Sequence, residues 1–176
     1  MVILLLLVSC FLHQSLKEKF AVKGITLYDI NIVSFEPLST YDKTALLLGT
    51  IRVTRKARNT FVMSGDVEFL RNWGNEYTVY YHVETSIGMI LIKNSEPFCE
   101  FFNSELAVVK KFRQYSTVPP GNYCPLPKNR YEVNNYGVDE SDLPMMLPKD
   151  TYTLIAKVMT SDEHVVLSYT LKIAVS

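Results

Sequence analysis

From Ile25 onward, apolar residues recur at every second position in short runs, and clusters of turn-forming residues separate the runs. Ile25, Leu27, Ile30 and Ile32 alternate with polar neighbours until Glu36-Pro37 interrupts them. Further runs cover Ala45–Val53, Thr60–Phe69, Glu76–Val83 and Ile87–Ile92, with Arg71-Asn72-Trp73-Gly74-Asn75 and Ser86-Ile87-Gly88 as turns. Tyr131–Asn134, Tyr152–Met159 and Val165–Val175 follow, the last two joined through Ser161-Asp162-Glu163. A period of two places one face of each strand in a core and the other toward solvent. About eight such strands without helices between them predict an antiparallel β-sandwich, not an α/β fold.

One segment departs from this pattern. Between Pro97 and Tyr115, residues Phe98, Phe101, Phe102, Leu106, Val109 and Phe112 recur at helical spacing, with Glu100, Asn103, Lys110, Lys111 and Gln114 opposite. The spacing predicts one amphipathic helix of about five turns over 97–115. Asn94 and Ser95 are cap-type residues, Pro97 suits a first turn, and Val118-Pro119-Pro120-Gly121 ends the helix. At 100° per residue Glu105 falls near the middle of the apolar face, where a carboxylate needs a partner. Either Glu105 pairs with Arg113 or a strand residue, or it lies at the rim of the face, or it anchors the head group of a ligand.

Composition narrows the function classes. The 176 residues include 48% hydrophobic positions, 11 Tyr and 9 Phe, enough apolar surface to offset chain entropy, which excludes wholesale disorder. Lys and Arg number 18, as do Asp and Glu, so the chain lacks the basic surplus that nucleic-acid binding calls for. A single domain over residues 20–176 is expected.

The apolar run from Val2 to Leu12 is too short for a bilayer span of roughly 20 residues, but it fits a signal-peptide core of about 7 to 15. Residues 1–15 are therefore expected to be a secretory signal peptide, and the protein extracellular. Leu7-Val8-Ser9-Cys10 offers a competing bacterial lipobox with an anchor at Cys10, against which stands the lack of Lys or Arg before the core. With Cys10 in the leader or a tail, Cys99 and Cys124 remain, and in an exported chain they read as one disulfide worth roughly 3 kcal/mol. Two buried thiols are the alternative.

Catalytic signatures are missing: the sequence contains no His-Glu-x-x-His, Gly-x-Ser-x-Gly, P-loop or dinucleotide-binding glycine pattern. His82 and His164 stand alone, so neither a metal site nor a cofactor is expected. The basic run Arg52, Arg55, Lys56 and Arg58 reads as a solvated turn, or as a surface for an acidic head group or glycan.

The second half carries Pro97-Phe98-Cys99-Glu100-Phe101, then Tyr123-Cys124-Pro125-Leu126-Pro127, Tyr131-Glu132-Val133-Asn134-Asn135-Tyr136, and Leu143-Pro144 through Leu147-Pro148 to Tyr152. This series resembles the secreted insect chemosensory-B (CheB) proteins of arthropods, relatives of the ganglioside-activator and ML lipid-recognition proteins. The resemblance implies an immunoglobulin-like β-sandwich with a helix inserted around 97–115. It also implies an apolar cavity between the sheets and a Cys99–Cys124 disulfide. Ganglioside activators have several disulfides, whereas this chain can form one.

The expected function is non-enzymatic binding of a hydrophobic small molecule, with a membrane receptor as a further partner. Candidate ligand contacts are Phe98, Phe101, Phe102, Glu105, Trp73, Met145 and Met146. The two methionines, flanked by Leu143 and Leu147, would cover a cavity mouth, and Trp73 is a second candidate for that place. The alternatives are a fully packed extracellular interaction module that meets a protein or glycan, and a bacterial lipoprotein.

Overall fold

The computed structural model describes residues 28–37, 41–57, 60–104, 107–138 and 147–176. Among them are β1 (Ile30–Pro37), β2 (Leu46–Leu48), β3 (Arg52–Ala57), β4 (Thr60–Phe69), β5 (Tyr77–Glu84) and β6 (Ile90–Pro97). Two helices, α1 (Phe98–Asn103) and α2 (Ala107–Gln114), follow, and then β7 (Asn129–Val138), β8 (Asp150–Thr160) and β9 (Val165–Val175). One sheet runs β1-β9-β8-β5-β6. In the other, β4 is central, with β7 on one side and β2 and β3 end to end on the other. All pairings are antiparallel, so the expected β-sandwich is the observed one.

Alternation builds the larger sheet. Tyr77, Val79 and Tyr81 of β5 are buried, as are Tyr152, Leu154, Ala156 and Val158 of β8. The pairings Val79↔Val158 and Tyr81↔Ala156 bring these two sets onto one inner face. Each large side chain buried in this way contributes roughly 1.5–3 kcal/mol.

Three elements differ from expectation. The run Ala45–Val53 is two strands instead of one, because the chain crosses β4 too closely at Gly49 and Thr50 to stay in the ladder. A Cβ on Gly49 would lie 2.1 Å from Asp66 Oδ2, and one on Gly65 2.5 Å from the Thr50 carbonyl carbon. Gly65 also has φ +128°, open in practice only to glycine. The Thr50 amide and hydroxyl donate to Asp66 Oδ1 at 3.3 and 2.5 Å, which replaces the missing ladder bonds. Arg130 Nη2 lies 2.8 Å from the other carboxylate oxygen.

Strand β7 is longer than Tyr131–Asn134 and contains a bulge. Met63 pairs with Tyr136 and Gly65 with Val133, so Asn134 and Asn135 both oppose Ser64. Asn135 takes φ 54°, and its amide donates to Ser64 Oγ at 3.0 Å. The extra residue resets the alternation, so that Tyr131, Val133 and Tyr136 all reach the core.

The third difference is the helix, which is two pieces. Ser104 leaves the helical region at ψ 150°. The Phe102 carbonyl, which a continuing helix would use internally, accepts from Arg113 Nη1 at 2.5 Å. Asn94 and Ser95 belong to β6, and Pro97 takes the cap position without a side-chain cap bond. Glu105 lies outside the described residues, and a 100° count carried through Ser104 no longer gives its phase.

Candidate ligand site: an apolar void at the helix-capped end

Strand directions bring Phe69 at the end of β4 and Tyr77 at the start of β5 to the same end of the sandwich, either side of Trp73. Trp73 stacks on Tyr77 with centroids 4.8 Å apart, and it meets Phe69 and Phe98 edge-on at 4.7 and 5.5 Å. Phe98 stacks in turn on Phe102 at 5.7 Å, and Phe101 tilts against Tyr81. Offset and edge-on contacts of this kind are worth about 0.5–1.5 kcal/mol each beyond the area they bury.

The backbone holds this cluster in place. Trp73 and Leu126 exchange amide bonds of 2.8 and 2.7 Å. The Cys99–Cys124 disulfide, Cα–Cα 5.7 Å, ties the first turn of α1 to the loop that carries Leu126. Asn75 Oδ1 accepts from the Cys99 amide at 3.0 Å, a third tie between the loop after β4 and the helix.

Within this frame lies a void of about 30 Å³. Its walls are Leu46, Leu48, Ile51, Val67 and Phe69 from one sheet and Leu167 from the other, capped by Phe98, Phe101, Phe102 and Phe112. Trp73, Val118, Leu126, Tyr131 and Val133 complete it, and among the described residues no charged side chain takes part. The volume suits about one water molecule, whereas small-molecule sites span about 300–1,000 Å³. In this state the sandwich is closed, and any larger guest has to part its layers.

Of the residues singled out from the sequence, Phe98, Phe101, Phe102 and Trp73 meet at this void. Trp73 is fully buried in the wall and does not cover a mouth. Met145 and Met146 lie outside the described residues. The strand side of the lining went unnoticed in the sequence, although Val67, Phe69, Tyr131 and Val133 all sit in alternating runs. Which inner faces meet is a property of sheet pairing and not of any one run.

A polar cluster flanks the aromatic end. Tyr81 and Asn94 pair across β5 and β6, and Asn94 Nδ2 donates to the Tyr81 hydroxyl at 2.8 Å. Tyr81 in turn donates to Glu96 Oε1 at 3.4 Å. Burial holds the Glu96 carboxyl above the ordinary carboxylate range; the Tyr81 hydrogen bond opposes that shift and the Glu100 charge adds to it.

Elsewhere, Arg52, Arg55 and Lys56 are exposed on strand β3 and not in a turn, and Arg58 lies outside the described residues. His82 and His164 each stand 3.9 Å from one carboxylate, Glu84 and Asp42 respectively. Among the described residues no three His, Cys, Asp or Glu side chains are placed to hold a metal ion. No helix among them is long and apolar enough to cross a membrane.

Residues 76–154, just under half of the chain, match a family described as "Protein of unknown function (DUF1091)". That span holds all of the sequence motifs between Pro97 and Tyr152. No curated protein matches the chain. Among solved structures it is similar to chicken MD-1 complexed with lipid IVa, at 12% identity and a TM-score of 0.40, over 84% of this chain and 97% of that one. The two-sheet architecture rests on the strand pairing described above and not on this likeness.

Proposed function

We propose that this protein is a secreted, non-enzymatic carrier of a small hydrophobic molecule, which it takes up between its sheets at the helix-capped end. The observation that carries this reading is the void, walled by aliphatic and aromatic side chains from both sheets and both helices. Each methylene moved from water into such a lining contributes about 0.8 kcal/mol, so an acyl-length chain offsets the packing between the layers that its entry disrupts.

The helical cap is the part that yields. Helix α1 is pinned by Cys99, while α2, eight residues long, has no covalent tie. Helices this short hold their shape mainly through tertiary contacts, for α2 its buried face and the Arg113 bond to the Phe102 carbonyl. Displacing α2 removes Phe112 from the lining and so enlarges the void. The arthropod resemblance makes a lipid-like chemical signal the natural cargo, and removal of residues 1–15 during export the natural route.

Native mass spectrometry of protein expressed through a secretory pathway tests the reading. Co-purified or added lipid is expected in the complex, and a clean apo mass with no uptake from a lipid mixture refutes it. Amino-terminal sequencing of the exported protein checks cleavage near residue 15.

The second reading, an interaction module with a filled core, draws on the small volume of the void and on an apolar tip at the other end. There Ile87, Met89, Ile90 and Leu91 are 85, 55, 54 and 46% exposed. Failure to take up lipid together with retention on a protein partner favours it.

A further inference from the structure

We infer that the cargo is a neutral, oxygen-bearing chain molecule, an ester, alcohol, aldehyde or ketone, whose oxygen accepts a hydrogen bond from Trp73 Nε1. This rests on the carrier reading and deepens it. Trp73 is fully buried, and its backbone amide and carbonyl are both satisfied by Leu126. Trp73 is one of the residues lining the void, and its buried indole N–H has no acceptor among the described residues.

The ring is not free to turn in search of one. Tyr77 lies against its face, and Phe69 and Phe98 abut it edge-on. An orphaned donor in such a place costs about 1–3 kcal/mol, a penalty a phenylalanine would avoid. Buried groups left unpaired call for a specific explanation.

Water fits the volume but not the chemistry. A buried water is held by about three hydrogen bonds, typically two to four. Among the described residues the void is lined by two polar side chains, Trp73 and Tyr131, and the Tyr131 hydroxyl already donates to the Pro127 carbonyl at 2.8 Å. A single acceptor atom carried on an apolar chain matches one donor in an apolar wall.

The lining also selects against charge. Among the described residues it contains no Lys, Arg or His, so an ionised carboxylate brought there finds no counter-ion among them and bears the desolvation penalty. Plain hydrocarbon leaves the indole N–H unpaired. Neutral oxygenated chains meet both conditions.

The test uses the full chain with three probes that share one carbon-chain length: hexadecane, methyl hexadecanoate and hexadecanoate. Trp73 is the only tryptophan, so emission excited at the long-wavelength edge of the indole band, where tyrosine does not absorb, reports on this group alone. The ester is expected to shift that emission to longer wavelength and hexadecane is not. In Trp73→Phe, affinity for the ester is expected to fall about tenfold relative to hexadecane, the size of one buried hydrogen bond.

Equal loss for both probes, or none for either, overturns the inference while leaving the carrier reading intact. Tighter binding of hexadecanoate than of its ester overturns it too. Uptake of none of the three by the native protein overturns the carrier reading and the inference together. Should the variant fail to fold, the emission shift of the native protein decides: no difference between ester and hexadecane refutes the hydrogen bond.

Discussion

The two ends of the sandwich use apolar residues for opposite purposes. At the helix-capped end, Trp73, Phe98, Phe101 and Phe112 are at most 2% exposed, and ring contacts, a disulfide and a backbone bridge hold Trp73 and α1 in place. At the other end, the hairpin between β5 and β6 displays Ile87, Met89, Ile90 and Leu91 to solvent. That hairpin is nonetheless well made: Thr85 accepts from Gly88 and donates to Met89, and Ser86 donates to Asp150 at 3.4 Å. Gly88 takes φ +79° with open space around its Cβ position. Exposure there is therefore a property of a formed turn. Apolar character alone does not say whether a residue stabilises the fold or presents a surface.

Mutations at the two ends should separate these purposes. Phe101→Ala at the closed end is expected to cost about 3–5 kcal/mol in urea unfolding, because a fully buried ring leaves a cavity its neighbours cannot refill. A loss below 1 kcal/mol would mean that this end is loosely packed. Replacing both Cys99 and Cys124 by alanine is expected to cost roughly 3 kcal/mol, since the bridge closes a loop with a sequence separation of 25. The double substitution avoids a stray thiol, and unfolding under non-reducing conditions measures the effect.

Asp66 lies between the two ends and gives a pH signature. Hydrogen bonds from the Thr50 hydroxyl and amide, with the Arg130 charge, hold its carboxyl below the ordinary range. A lowered folded-state pKa means stability present at neutral pH and lost as pH falls below about 4, through the folded value. Asp66→Asn is expected to be less stable than the native protein at pH 7, with the gap closing in acid. A gap that stays constant with pH would assign the effect to packing. The smallest effect belongs to the exposed tip: Ile87→Ser should change stability by less than about 0.5 kcal/mol. Its retention on a hydrophobic column is expected to drop all the same. A large loss of stability there would erase the contrast between the ends.

Particular residues show what was legible in advance. Tyr77, Val79 and Tyr81, or Tyr152 to Val158, announce buried strands because period-two alternation is local. The helix signal in Phe98, Phe101, Val109 and Phe112 was right about burial and wrong about continuity. Arg113 reaching back to the Phe102 carbonyl is a contact that residue spacing does not encode. The break between β2 and β3 was equally hidden, since it depends on Gly49 and Thr50 meeting Gly65 and Asp66 on another strand. Of the site, the helix side and Trp73 were visible, and the strand side was not.

The sequence by itself therefore determined the sandwich class, the aromatic helix face and the pair of cysteines able to bridge, because these depend on periodicity and count. Only the tertiary structure decided that Trp73 sits inside the wall, that the void holds about 30 Å³, and that the Trp73 indole N–H has no partner among the described residues. Packing density and hydrogen-bond satisfaction are properties of neighbours far apart in the chain, and they exist only once both sheets and the helices have closed on one another.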